Sequence, residues 1–243
     1  MICFLTSQTV APETGDLNPA NGFIDELRLC FPDPCRALFI CSDPAGWAET
    51  DYYAALSRAE YARAGFQIAE LRTLDSRNAE QAAALVRESN LLILAGGHVP
   101  TQNRFFRQIR LRALLQGFDG VLIGVSAGSM NSAELVYAQP ELEGEAVDPA
   151  YQKFLPGLGL TKTMLLPHYQ KVKDDWLDGL RLFADITCPD SMGISFYAIP
   201  DGSYLLIRSG REELRGEAYR IRDGRIAQIS KCGETIRFEP RES

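Results

Sequence analysis

The sequence predicts an α/β fold: a mostly parallel sheet with helices on both faces and antiparallel β hairpins towards the C-terminus. Two observations carry this. Short apolar runs alternate with amphipathic stretches through the first two thirds of the chain, as in successive βαβ units. The last third turns to short β segments punctuated by Asp201-Gly202 and Asp223-Gly224, pairs that favour tight hairpins.

The expected strands of the first part are Ile2 to Thr6, Ala37 to Cys41, Phe66 to Leu71, Leu91 to Leu94 and Val121 to Val125. Helices are expected between them over Gly22 to Leu29, Thr50 to Ala64, Asn78 to Glu88 and Gln102 to Leu115. In the second of these, Tyr53, Leu56 and Tyr61 recur near a 3.6-residue period, with polar residues on the other face. From Tyr137 to Gly159, Pro140, Pro149 and Pro156 stand among several acids with no clear period, which reads as a long surface excursion bordering a site. A strand over Leu160 to Leu166 and a helix from about Lys173 to Ala184 follow. The terminal β segments are Gly193 to Ile199, Tyr204 to Arg208, Glu217 to Ile221 and Arg225 to Ile229. No repeat or linker divides the 243 residues, so one domain over 1–243 is expected.

Composition narrows the function. Thirty-two acidic against 25 basic residues give a net charge of −7, which argues against nucleic acid or an anionic membrane surface as partner. The six cysteines form no CxxC pair and there are only two histidines, so neither a disulfide framework nor the usual zinc ligand sets can be assembled. MICFLTSQTV lacks a basic segment followed by a long apolar one, and no apolar run approaches the ~20 residues of a membrane span. A cytoplasmic protein is expected, and a homo-oligomer is compatible with this composition.

The chemistry concentrates in Gly124-Val125-Ser126-Ala127-Gly128, where an apolar strand runs into a helical pattern. A serine at such a strand-to-helix turn stands exposed above the sheet with the following N–H free, the geometry of a nucleophile elbow. A second turn, Ala95-Gly96-Gly97-His98, also follows an apolar strand. Its glycine N–H could join that of Ala127 in stabilising an oxyanion. No GxGxxG follows that strand and no GK[ST] occurs anywhere, which disfavours a nucleotide site.

The serine needs a base. His168, just past the apolar Leu160 to Leu166 segment, would be delivered to the same sheet edge, whereas His98, next to the oxyanion glycine, is better placed to touch substrate. The orienting acid stays open among Glu134, Glu141, Glu143, Glu145, Asp148 and Asp201. Asp201 follows a strand and begins a turn, although Asp-Gly is also ordinary hairpin chemistry. A cofactor-free serine hydrolase fits these residues. An α/β-hydrolase esterase with the order Ser, acid, His is the enzymatic alternative, and a non-catalytic ligand-binding or regulatory protein on the same scaffold is the other.

Ala95-Gly96-Gly97 with Gln102, Gly124-Val125-Ser126-Ala127-Gly128, Pro167-His168-Tyr169 and Ile199-Pro200-Asp201-Gly202 resemble, in order and spacing over about residues 1 to 208, the signature blocks of the peptidase E family of serine peptidases. These are the aspartyl dipeptidases, whose relatives include the cyanophycinases. The resemblance implies a fold like class I glutamine amidotransferases, flavodoxin-like, a cytosolic serine exopeptidase acting on small peptides, and a triad of Ser126, His168 and Asp201. It implies Gly97 and Ala127 as oxyanion donors; Gln102, in the first of these blocks, and His98, beside the turn, are the candidate substrate contacts. Glu141 lies nearest the position of a different acid favoured for some members and is the alternative third member. The chain departs from the family at His98 and Val99, where a glycine and an asparagine are usual, and at Asp201, where Glu is usual.

Overall fold

In the computed structural model, which describes residues 1–238, eight strands form one sheet. Its parallel part consists of β1 (Ile2–Thr6), β2 (Cys35–Ile40), β3 (Ile68–Leu74), β4 (Leu91–Leu94) and β5 (Val121–Val125), in the spatial order β3-β2-β4-β5-β1. Three antiparallel strands, Tyr204–Arg208, Arg211–Arg215 and Thr235–Phe238, extend it beyond β1.

Side chains on a strand alternate between faces, and the two faces have separate cores. Phe4, Phe39 and Ile93 point to one side with Phe23 and Leu27 of α1 (Phe23–Arg28) and Ala54 and Tyr61 of α2 (Trp47–Arg63). Leu5, Leu38 and Leu94 point to the other, against Leu85 of α3 (Ala82–Glu88), Phe105 of α4 (Val99–Gln108) and Leu111 of α5 (Leu111–Leu114). Burial on both faces explains why the central strands are apolar throughout.

A second sheet of four strands, in the order Arg225–Ser230, Ala218–Arg222, Ser195–Ala198, Met164–Leu166, packs over a third core, where Tyr137 stacks on Phe196 with centroids 4.2 Å apart. Pairing of Leu135–Tyr137 with Phe154–Pro156 closes the excursion at its base.

Three expectations change. No helix spans Lys173 to Ala184. A short turn of helix, Tyr169–Val172, is followed by a hairpin of Trp176–Leu177 with Leu180–Arg181, and Leu182–Thr187 forms a π-helical segment. Asp178 and Gly179 have φ of 53° and 79°, the two left-handed residues a tight hairpin requires. The Asp178 carboxylate fixes this turn by accepting from the N–H groups of Gly144 (2.8 Å) and Ala146 (2.9 Å). Asp223-Gly224 does join two paired strands, but Asp201-Gly202 does not, because Ser195–Ala198 and Tyr204–Arg208 lie in different sheets. The unforeseen hairpin is at Ser209-Gly210, joining Tyr204–Arg208 to Arg211–Arg215. Among the described residues, no helix is long and apolar enough to cross a membrane.

Candidate active site

β1, β4 and β5 end at one edge of the sheet, where their following turns converge. Ser126, between β5 and α6 (Ala127–Asn131), has φ 48° and ψ −110°, a strained conformation of the order of 1–3 kcal/mol that persists only when its surroundings hold it. Ser126 N–H donates to Thr6 O (3.1 Å), Ser129 Oγ donates to the same carbonyl (2.8 Å), and Ser129 N–H donates to Ser126 O (2.9 Å). Gly128 permits the close approach, since a Cβ there would lie 2.4 Å from Leu94 O.

The Gly96-Gly97 turn abuts this elbow. A Cβ built on Gly96 would lie 3.4 Å from Ser126 Cβ, and Gly97, at φ 148°, faces Ser42 so closely that its own Cβ would be 2.5 Å from Ser42 Oγ. Among the described residues neither Gly97 N–H nor Ala127 N–H has a backbone acceptor, and Ala127 opens a helix, where no intrahelical acceptor exists. Gln102, expected to contact substrate, is instead fully buried. Its amide donates to Ala95 O (2.7 Å) and accepts from Asn131 Nδ2 (3.0 Å), so its polar atoms hold the turn from beneath.

His168 follows Met164–Leu166 and Pro167 and sits at φ 59°. Its Nδ1 is 2.7 Å from Asp201 Oδ1, an arrangement that places a proton on Nδ1 and leaves Nε2 as the acceptor. Asp201 is nearly buried. Its Oδ1 also accepts from Ser7 Oγ (2.8 Å), and its Oδ2 pairs with Lys171 Nζ (2.7 Å). Burial alone would raise this carboxyl, but hydrogen bonds from His168, Lys171 and Ser7 outweigh it and hold Asp201 well below the usual carboxylate range.

Ser126 and His168 share the walls of two cavities, one of about 670 Å³ running beneath α2 and one of about 240 Å³ beside the excursion. No hydrogen bond joins their side chains in this structure. Glu141 lines the smaller cavity but makes no bond to His168. Glu141 is exposed as a residue, but the crowded cavity wall around its carboxyl and the neighbouring Glu145 push that group up to about 7. His98, expected at the substrate, lines neither cavity. Its Nδ1 bonds Thr101 Oγ1 (2.8 Å) and its Nε2 bonds Glu145 Oε1 (2.8 Å), tying the excursion to the start of α4.

Ser7 and Lys171 were not singled out in the sequence. Ser7, at the end of β1, takes the His168 backbone N–H (2.8 Å) on the oxygen that donates to Asp201, an arrangement between residues 161 and 194 positions apart. Only the position of Ser7 after an apolar strand hinted at it.

The comparisons agree with this architecture. The model of peptidase family S51 matches residues 4–214. A peptidase from an acI-B1 Actinobacterium superposes with a TM-score of 0.60 at 17% identity, covering 98% of this chain and 96% of its own. A peptidase E protein from Listeria monocytogenes EGD-e gives 0.57 at 14% identity, covering 94% and 98%. At these identities the structural likeness bears on the fold, and no curated protein matches the chain. The family match spans most of the sequence, and the chain belongs to peptidase family S51, a family of serine-type peptidases.

Proposed function

We propose that the protein is an exopeptidase that hydrolyses small peptides with Ser126 as nucleophile, His168 as general base and Asp201 as the acid that orients it. The observation that carries this is the 2.7 Å contact of His168 Nδ1 with Asp201 Oδ1 at a cavity wall shared with Ser126. His168 Nε2 takes the Ser126 proton as Oγ attacks the scissile carbonyl, and the Gly97 and Ala127 N–H groups receive the oxyanion. Collapse of the tetrahedral intermediate passes the proton from His168 to the leaving amine, and water then releases the acyl group by the same route. Asp201, held ionised, stabilises the imidazolium formed in each step. The acid follows the histidine in the chain, unlike the Ser, acid, His order of α/β-hydrolases. The six unpaired cysteines, four of them buried, favour a cytoplasmic setting.

A fluorophosphonate probe tests the assignment. Labelling located to Ser126 by mass spectrometry, and lost in His168→Ala, is the expected result. Labelling at another residue, or equal labelling without His168, refutes it.

A further inference from the structure

The larger cavity extends from Ser126 and the Gly96-Gly97 turn into the gap between α2 and the sheet. Its floor is apolar, from Phe39 and Ile93, and its roof includes Tyr53 and Leu56 of α2. These two belong to the stripe expected to pack on the sheet. Both remain substantially exposed instead, which leaves a slot lined by hydrocarbon.

The charges in this slot have one sign. Asp43, Glu49 and Glu60 line it and, among the described residues, no Lys or Arg does; the smaller cavity carries Glu141 and Asp175, again with no Lys or Arg among the described residues. Asp43 and Glu49 gather around Gly46 near the mouth, where Ser42 touches Gly97. Glu60 lies three turns further along the helix, about 16 Å from Glu49 at the α-helical rise.

Acidic residues on a surface normally mean nothing, but Glu60 is not on a surface. It is 7% exposed, lines the slot, and its side chain has no hydrogen bond or ion pair among the described residues. The basic residue one turn on, Arg63, is committed to Asp16 (2.6 Å) and to Gly15 O (2.7 Å). Beside Glu60, Tyr61 is 2% exposed and its hydroxyl is also without a partner. The Tyr61 hydroxyl is sealed from solvent, whereas the Glu60 carboxylate opens onto the slot, and a largely buried, unpaired carboxylate in its wall marks a place where a ligand supplies the partner.

We propose that the slot beneath α2 is a substrate subsite for a cationic group, a peptide α-ammonium or the head of a Lys or Arg side chain, received by Glu60. The apolar floor and roof suit the methylene stem or neighbouring apolar residues, and the carboxylates repel acidic ones. This specificity rests on the peptidase reading above and departs from the acidic preference implied by the resemblance to aspartyl dipeptidases.

The test separates binding from turnover. Tetrapeptides carrying Lys, norleucine or Glu at one position in turn, with free or acetylated N-termini, are titrated into Ser126→Ala, which cannot turn them over. The expected result is at least about tenfold tighter binding of the Lys peptides than of their norleucine counterparts, with Glu weakest. If the α-ammonium is the cation, the same gap separates free from acetylated peptides instead. In Ser126→Ala with Glu60→Gln the gap collapses towards one. Equal binding of Lys and norleucine peptides together with equal binding of free and acetylated ones, a preference for Glu, a gap that survives Glu60→Gln, or no binding by any peptide overturns the proposal. Hydrolysis by the wild type is scored separately. Cation-dependent binding without hydrolysis would sink the peptidase reading and keep the subsite, and hydrolysis without a cation preference would do the reverse.

Discussion

Ser7 Oγ bridges the backbone of His168 to the carboxylate of Asp201, accepting at 2.8 Å from the one and donating at 2.8 Å to the other. One hydroxyl at the end of β1 thereby fixes both the loop that carries the base and the acid that orients it. Ser7→Ala should leave the protein folded and lower kcat by roughly tenfold with little change in KM, about one hydrogen bond's worth of positioning. Steady-state kinetics on any accepted peptide checks this. An effect confined to KM would mean that Ser7 serves binding instead.

The two candidate acids should separate cleanly. Asp201→Asn should favour the wrong imidazole tautomer and cost up to ~10⁴-fold in kcat. Glu141→Gln should cost far less, because Glu141 does not reach His168, and a carboxyl pushed up to about 7 is a poor partner for an imidazolium. Reversed magnitudes would transfer the role to Glu141.

The same acids give opposite pH signatures of stability. Asp201 is depressed in the folded state, so its contribution is complete above the unfolded value of about 3.9 and is lost as pH falls through the folded one. Glu141 is raised, so its contribution is present at acid pH and is lost as pH rises through about 7. Urea unfolding between pH 3 and 8 should show a shallower acid limb in Asp201→Asn and a shallower neutral limb in Glu141→Gln. Unchanged slopes would contradict these environments.

Gly97→Ala should abolish most activity, because a methyl group would sit 2.5 Å from Ser42 Oγ and the residue's φ of 148° suits glycine alone. Loss of one oxyanion donor costs about 10²–10³ in kcat. Shortening the opposing side chain with Ser42→Gly should relieve the clash without relieving the strain, and so restore only part of the rate. Full activity in Gly97→Ala would remove this turn from the oxyanion site.

What could be read from the sequence was what is local. The strand, turn and helix around Ser126 are one continuous segment, so apolar run, glycines and serine announce the elbow together. His168 was legible by scarcity, being one of two histidines and the one that follows an apolar strand. Asp201 was ambiguous because Asp-Gly commonly turns a hairpin, and only the assignment of its flanking strands to different sheets shows what the turn does. Asp178-Gly179 carried the same signal inside an apparent helical period, and there the turn prevailed. Gln102 and His98 stand in the right neighbourhood, but their side chains are spent on the protein itself, an outcome that depends on partners no local pattern reveals. Ser7, Lys171 and the unpartnered Glu60 depend likewise on contacts made across the fold.

The central claim is that Ser126 and His168 act as one unit. It is tested most directly by kcat/KM for Ser126→Ala, His168→Ala and the double variant on one peptide. The account predicts losses of up to ~10⁶-fold in each single variant and scarcely more in the double. Full activity in either single variant, or losses that multiply in the double, would contradict it.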